Sequence, residues 1–292
     1  MRPSLLRLTA AAGATAAVLA ASSSARAADA VYGGTTGSED PIVVTADPKS
    51  AELRSIIVSW RAACADGQGF PNAGELTATE SVAGFTPGPA DLLVSRNAKG
   101  RFKGKQLGGV DLGAAVGAVV VDIEGTLKRT RASGTLRAVV KIVDKATGTD
   151  ITSCQTGTIR WAATRAPGIV YGGTTSQDEP VVVRLNARRK LVTDLLTTWR
   201  APCTPSEGYF RVPDHIVVPF VVASTGRFGA PFSRQWATDA GGTMRHDVTL
   251  AGRMTKKAAK GTLQVKVSET DANGAATDNC DTGGITWKAA TG

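Results

Sequence analysis

The chain has 292 residues, with 34 Lys and Arg against 25 Asp and Glu, two His, four Cys and 5% aromatic residues. A net charge of +9 on this length does not dictate a nucleic-acid partner, and basic and aromatic residues are not interleaved as such surfaces require. With two histidines, no Cys/His cluster and no CxxC motif, neither a zinc site nor a dithiol redox site is expected, and no cofactor or metal is assigned.

Residues 1–27 read as a signal peptide. Arg2 and Arg7 precede an alanine-rich apolar stretch from Leu8 to Ala21, and Ala25-Arg26-Ala27 offers the small residues of a cleavage site, with cleavage expected after Ala27. The apolar part is too short to remain as a membrane span, and no later stretch resembles one. No cysteine near that site suggests a lipid anchor, and the end at Gly292 carries no hydrophobic tail or LPxTG-like sorting motif. The mature protein is therefore expected to be secreted and extracellular. Loss of three arginines leaves 31 basic residues against 25 acidic, a charge of +6 that suits weak adhesion to anionic wall polymers, lipids or acidic glycans.

Next in chain order comes a repeat. Val31 to Cys64 recurs without a gap as Val170 to Cys203, identical at Val31 through Thr36, Pro41, Val43, Val44, Trp60, Arg61, Ala62 and Cys64. A second block, Cys154-Gln-Thr-Gly-Thr-Ile-Arg-Trp161, matches Cys280-Asp-Thr-Gly-Gly-Ile-Thr-Trp287. Between the blocks Gly100-Arg101-Phe102 matches Gly226-Arg227-Phe228, Gly125 matches Gly252 and Gly134-Thr135-Leu136 matches Gly261-Thr262-Leu263. The chain thus reads as a tandem duplication of two units, 31–165 and 170–292, joined by the short linker 166–169. Retention of glycines, apolar positions and cysteines, while His, Asp and Glu drift, records selection for a fold rather than for a reaction.

Period-two alternation and β-branched residues dominate, and sustained helical periodicity is missing after the signal. Each unit reads as all-β, an antiparallel β-sandwich or a partly open barrel of seven to nine short strands, with the sandwich preferred. Expected strands in the first unit are Pro41 to Ala46, Ile56 to Cys64, Leu76 to Val82, Gly100 to Lys105, Val116 to Glu124, Gly134 to Val143 and Thr156 to Ala162. In Ile56 to Cys64 the phase of Ile56, Val58, Trp60, Ala62 and Cys64 points inward, and Ser59 and Arg61 face solvent. Asp47 to Ser50 and Asn186 to Arg189 read as turns, with a short helical turn as the alternative. The tryptophans Trp60, Trp161, Trp199 and Trp287, paired by the repeat, read as core.

Cys64 and Cys154 in one unit match Cys203 and Cys280 in the other. Three pairings are possible; matching places in the duplicated unit favour Cys64 with Cys154 and Cys203 with Cys280. Export to an oxidising compartment permits both bonds.

The runs Tyr171-Gly-Gly-Thr-Thr-Ser-Gln177 and Cys280-Asp-Thr-Gly-Gly-Ile-Thr-Trp287 resemble those that open and close uncharacterised exported repeats of high-GC Gram-positive bacteria. The first unit departs from the opening run after Thr36, at Gly37-Ser38. The resemblance implies a fold class and an exported location, and no activity or site residues.

Candidate sites are few. No GxSxG elbow is present and the cysteines are committed, so nucleophilic hydrolysis has no obvious apparatus. His246 shares a strand phase with Met244, Val248 and Leu250 and matches Val119; His215 is aligned with Leu76, so both read as core or rim residues. Asp122 and Glu124 lie two apart on one strand face and read as wet-face charges. Glu39-Asp40-Pro41 recurs as Asp178-Glu179-Pro180, which with the turns at Asp144 and Asp271 offers a calcium reading beside the simpler one of turn chemistry. A basic hairpin persists in both units, with Lys128, Arg129 and Arg131 in one and Arg253, Lys256, Lys257 and Lys260 in the other. These residues suit an anionic wall or glycan polymer, and equally serve to keep strand edges from pairing. Trp236 has no counterpart and could stack on a ligand or pack on the neighbouring unit.

The sequence therefore points to a non-catalytic secreted binding or structural module, at the cell surface or in the medium. Its alternatives are a hydrolase that gathers Asp122, Glu124, Asp214, His215, His246 and Asp247 in an interdomain groove, and a small-ligand barrel with an apolar cavity in each unit.

Overall fold

The computed structural model describes residues 29–49, 52–79, 91–93, 95–96, 100–206, 209–217, 219–238 and 240–292. The expected signal segment, Ser50 and the Val82 end of one expected strand lie outside them. The chain is all-β. In the first sheet the strands are β1 (Ala30–Thr36), β2 (Pro41–Ala46), β3 (Leu53–Cys64), β4 (Gly69–Thr79), β5 (Asp91–Leu93), β6 (Ser95–Arg96), β7 (Arg101–Leu112), β8 (Ala115–Leu127), β9 (Arg131–Asp144), β10 (Asp150–Gln155) and β11 (Ile159–Thr164). The second sheet holds β12 (Val170–Thr175), β13 (Pro180–Leu185), β14 (Leu191–Thr204), β15 (Tyr209–Ile216), β16 (Phe220–Val221), β17 (Arg227–Phe228), β18 (Pro231–Ala237), β19 (Thr243–Met254), β20 (Ala258–Thr270), β21 (Ala276–Asp281) and β22 (Ile285–Ala290).

Strand pairing decides between sandwich and barrel. β10 pairs both β3 and β9, so the path β3-β2-β1-β11-β9-β10 returns to β3 as a six-strand ring. β14, β13, β12, β22, β20 and β21 repeat those pairings. Apart from the short parallel contact of β4 with β5, the ladders are antiparallel. The closing seam is thin, with two registered pairs in each ring, and a disulfide bridges one of them directly: Cys64 opposes Cys154 and Cys203 opposes Cys280. A covalent link therefore stands where the ladder contributes least.

The inward phase of β3 is as read, with Ile56, Val58, Trp60 and Ala62 in the first core. Its outward phase is not wet. Ser59 is fully buried and hydrogen-bonds the hydroxyl of Thr198, its own counterpart in the second barrel. Around that pair Val31, Val43, Ile57, Val170, Val182 and Leu196 form a separate apolar cluster, built from three equivalent positions of each barrel. The two barrels thus meet through like surfaces, which is why the exposed-face expectation for Ser59 fails; Arg61 does remain exposed.

The Tyr-Gly-Gly-Thr-Thr runs, which were not among the expected strands, lie in β1 and β12. A Cβ on Gly33 would lie 2.8 Å from Val170 Cγ1 and Val182 Cγ1, and one on Gly172 would lie 2.9 Å from Val31 and Val43. Gly34 and Gly173 face backbone carbonyl oxygens of β11 and β22 at 1.9 and 2.0 Å from such a Cβ. The first glycine of each run lets the barrels touch, and the second lets the strand lie against its neighbour. The segments at Pro48 and at Asn186 to Arg189 are turns.

Candidate functional site

Strand register brings four cations into one row. Arg227 opposes Arg253, Arg253 opposes Lys260, and Lys260 opposes Lys288, across the neighbouring strands β17, β19, β20 and β22. Each is exposed, because the adjacent residues Phe228, Met254, Ala259 and Trp287 take the inward phase and are buried. At the spacing of neighbouring strands the row spans roughly 14 Å. Among the described residues none of the four has an acidic partner.

Small residues flank the row on both sides. Ala251, Thr262 and Thr286 belong to one groove of about 610 Å³, which Arg227, Arg253, Lys260 and Lys288 all line. On the other side a larger groove of about 1160 Å³ runs over Gly172, Gly173, Ala258 and Ala290, with Lys256 and Lys257 from the hairpin at its border. It reaches Asp29, Val31 and Thr45 of the first barrel. The hairpin itself is pinned from beneath: Tyr171 Oη donates to the Thr255 carbonyl at 2.9 Å, as Tyr32 Oη donates to that of Lys128 at 3.0 Å.

The first barrel carries no such row. Its equivalent positions, Arg101, Thr126, Ser133 and Ala162, hold one cation. Of the seven basic residues predicted, Arg253, Lys256, Lys257 and Lys260 converge on the larger groove, while Lys128, Arg129 and Arg131 do not line it. Sequence reading missed Arg227 and Lys288. The available signal was the strand phase: each follows or precedes an inward aromatic residue, and Lys288 replaces Ala162 directly after the matched Trp161 and Trp287.

The recurring acidic pair serves structure. Asp40 is fully buried with Arg61 Nε 3.0 Å from its Oδ1, and burial pushes its pKa up to about 6 against the opposing pull of Arg61. Glu179 is buried between Arg200 and Arg211, at 3.2 and 2.6 Å; burial raises its pKa and the two guanidinium groups oppose the rise. Asp144 and Asp271 accept backbone N–H groups of their own turns. The calcium reading thus meets carboxylates already occupied by arginine or by turn N–H groups, at separate places.

The six residues of the hydrolase alternative do not gather either. Asp122 pairs with Lys105 and Glu124 accepts from Thr135, both on the first barrel. Asp247 lies half-exposed, paired with Arg245 and Ser233. His215 opposes Leu196, and Ile216 rather than His215 occupies the place of Leu76. That one-residue offset turns His215 to the other face, where it meets Asp194 at 2.9 Å.

His246 and Asp214 do meet, inside the second barrel. Trp199 Nε1 donates to Asp214 Oδ2 at 3.1 Å, Arg234 reaches the same oxygen at 2.5 Å, and Arg234 lies 3.3 Å from His246 Nδ1. The His246 ring sits among Trp199, Phe210 and Trp236, and burial, aided by Arg234, lowers its pKa to about 4. Trp236 is 42% exposed and caps this cluster at 4.6 Å from His246, with the Arg234 guanidinium 5.8 Å from its ring centroid. Its aromatic and cationic neighbours belong to its own barrel.

No family model matches the chain, and no curated protein does. Among solved structures a protein described as AttH from Nitrosomonas europaea is similar at 12% identity, covering 90% of this chain and 91% of that one, with a TM-score of 0.20. Among the described residues no helix is long and apolar enough to cross a membrane.

Proposed function

We propose that the protein is a non-catalytic binding module that acts outside the cytoplasm and holds an anionic polymer on the face of β17, β19, β20 and β22. The cationic row supports this reading. Like charges placed directly opposite across strands destabilise a sheet, so four in succession without an acid serve no purpose in folding. Their counterparts in the first barrel show that the same fold forms without them. A flat row flanked by grooves floored with small residues suits a chain carrying repeated phosphate or carboxylate groups, laid across the strands. The signal segment and two disulfides fit a secreted protein derived by duplication, for which anionic wall and surface polymers are the accessible partners.

The test replaces the row by the residues of the first barrel, Arg253→Thr, Lys260→Ser and Lys288→Ala, and measures binding to purified teichoic acid and to a carboxylated polysaccharide over a salt series. At about 1 kcal/mol for each cation near an anionic surface, the triple variant should bind on the order of a hundredfold more weakly at low salt. Unchanged binding in the triple variant, or no retention of the parent at low ionic strength, rules the reading out.

A further inference from the structure

Among the described residues the second barrel is plugged where the first is open. Asp214, Arg234 and His246, capped by the exposed Trp236, close the space beside Trp199, and strand register places Gly74, Gly108, Val110 and Val119 at the four positions of Asp214, Arg234, Trp236 and His246 in the first barrel. All four replacements are smaller. Among the described residues an added Cβ at Gly74 or Gly108 would meet nothing within 4 Å. The space they leave is a cavity of about 250 Å³ lined by Val58, Trp60, Leu76, Val110, Val119 and Val121 among others.

Two donors border it without acceptors. Trp60 is 2% exposed, and among the described residues its indole N–H has no partner, whereas the equivalent Trp199 donates to Asp214. Arg211, reaching over from the second barrel, also lines the cavity, and its Nε is buried without a partner. Its other nitrogens hold Asn72, the Ala73 carbonyl and Glu179. Arg211 Nε is a buried donor left without an acceptor, which is unfavourable, and in the second barrel the chain itself supplies a carboxylate to the tryptophan equivalent to Trp60.

We propose that the first barrel binds a small monocarboxylate whose head group stands where Asp214 stands in the second, accepting from Trp60 Nε1, while a compact apolar body of roughly ten heavy atoms fills the space between Val110, Val119 and Val121. The site is separate from the cationic face, and either can fail without the other.

Titration of the ¹⁵N-labelled full chain with benzoate tests this. The Trp60 indole N–H resonance, assigned by its loss in Trp60→Phe, is expected to move saturably while that of Trp199 stays in place. Toluene, which lacks the acceptor, should bind at least about tenfold more weakly. Gly74→Asp restores the internal carboxylate and Gly108→Leu fills the apolar space; both should abolish the benzoate response. A Trp60 resonance unmoved by both benzoate and hexanoate at millimolar concentration overturns the proposal, as does either cavity variant that remains folded and responds as the parent does.

Discussion

His246 and Asp40 show how single buried residues change the response to acid. His246 stands where the first barrel has Val119, and its buried ring titrates near 4 rather than 6.5. Between those values the unfolded chain takes up a proton that the native one does not, so the contribution of His246 is complete above pH 6.5 and is lost as pH falls to 4. Asp40 has the opposite sign. Its native pKa of about 6 exceeds the ordinary 3.8, so its contribution is complete below 3.8 and is lost as pH rises through 6. The two slopes oppose each other between pH 4 and 6. Relative to the parent, His246→Val should shift the slope towards loss of stability as pH rises across that range, and Asp40→Asn should shift it towards gain. Urea midpoints taken at pH 4, 5 and 6 give both signs directly, and a variant with the parental slope contradicts its assignment.

At the scale of elements the decisive feature is the seam of each ring. β3 and β10 share two registered pairs, as do β14 and β21, whereas β8 and β9 run together from Ala115–Asp144 to Leu127–Ala132. The disulfides close loops with separations of 90 and 77 residues, for which chain entropy gives about 4 to 5 kcal/mol each. Cys64→Ala with Cys154→Ala should cost about that much in denaturant unfolding, and amide exchange should accelerate first in β10. Equal protection of β10 in parent and variant would show that the ladder closes the ring without the bond. β10 escaped the sequence reading because only Cys154 of its six residues is buried, so it shows no apolar alternation. β2 was legible to its ends because Pro41 opens it and four of its first residues are apolar or β-branched. β1 and β12 were not among the expected strands for a different reason: paired glycines weaken a strand pattern, and here their bareness serves close packing.

For the whole molecule the contact between barrels governs which faces remain free. Gly33→Ala would press a methyl group on Val170 and Val182 and should destabilise by about 1 to 3 kcal/mol, the range for overpacking. Gly69→Ala, where an added Cβ meets nothing within 4 Å, is the control. Coincident loss at both positions would indicate a backbone effect instead of a clash between barrels. This contact covers β1 to β3 and β12 to β14, and so leaves β17, β19, β20 and β22 outward to carry the cationic row. It also brings Arg211 to the wall of the first cavity. Neither consequence follows from one unit taken alone.

The amino-acid sequence by itself determined the β class, the likeness of residues 31–64 to 170–203, the cysteine pairing and the inward phase of the tryptophan strand, because these rest on local alternation and on residues that recur at fixed separations. It also located four of the cations that border the larger groove. Tertiary structure alone decided that the rings close, that Ser59 meets Thr198, and that Arg227 and Lys288 complete a row with Arg253 and Lys260. Those facts depend on strand register and on which surfaces of two similar barrels face each other, and a shift of one residue, as at His215, moves a side chain to the opposite face without changing any local pattern.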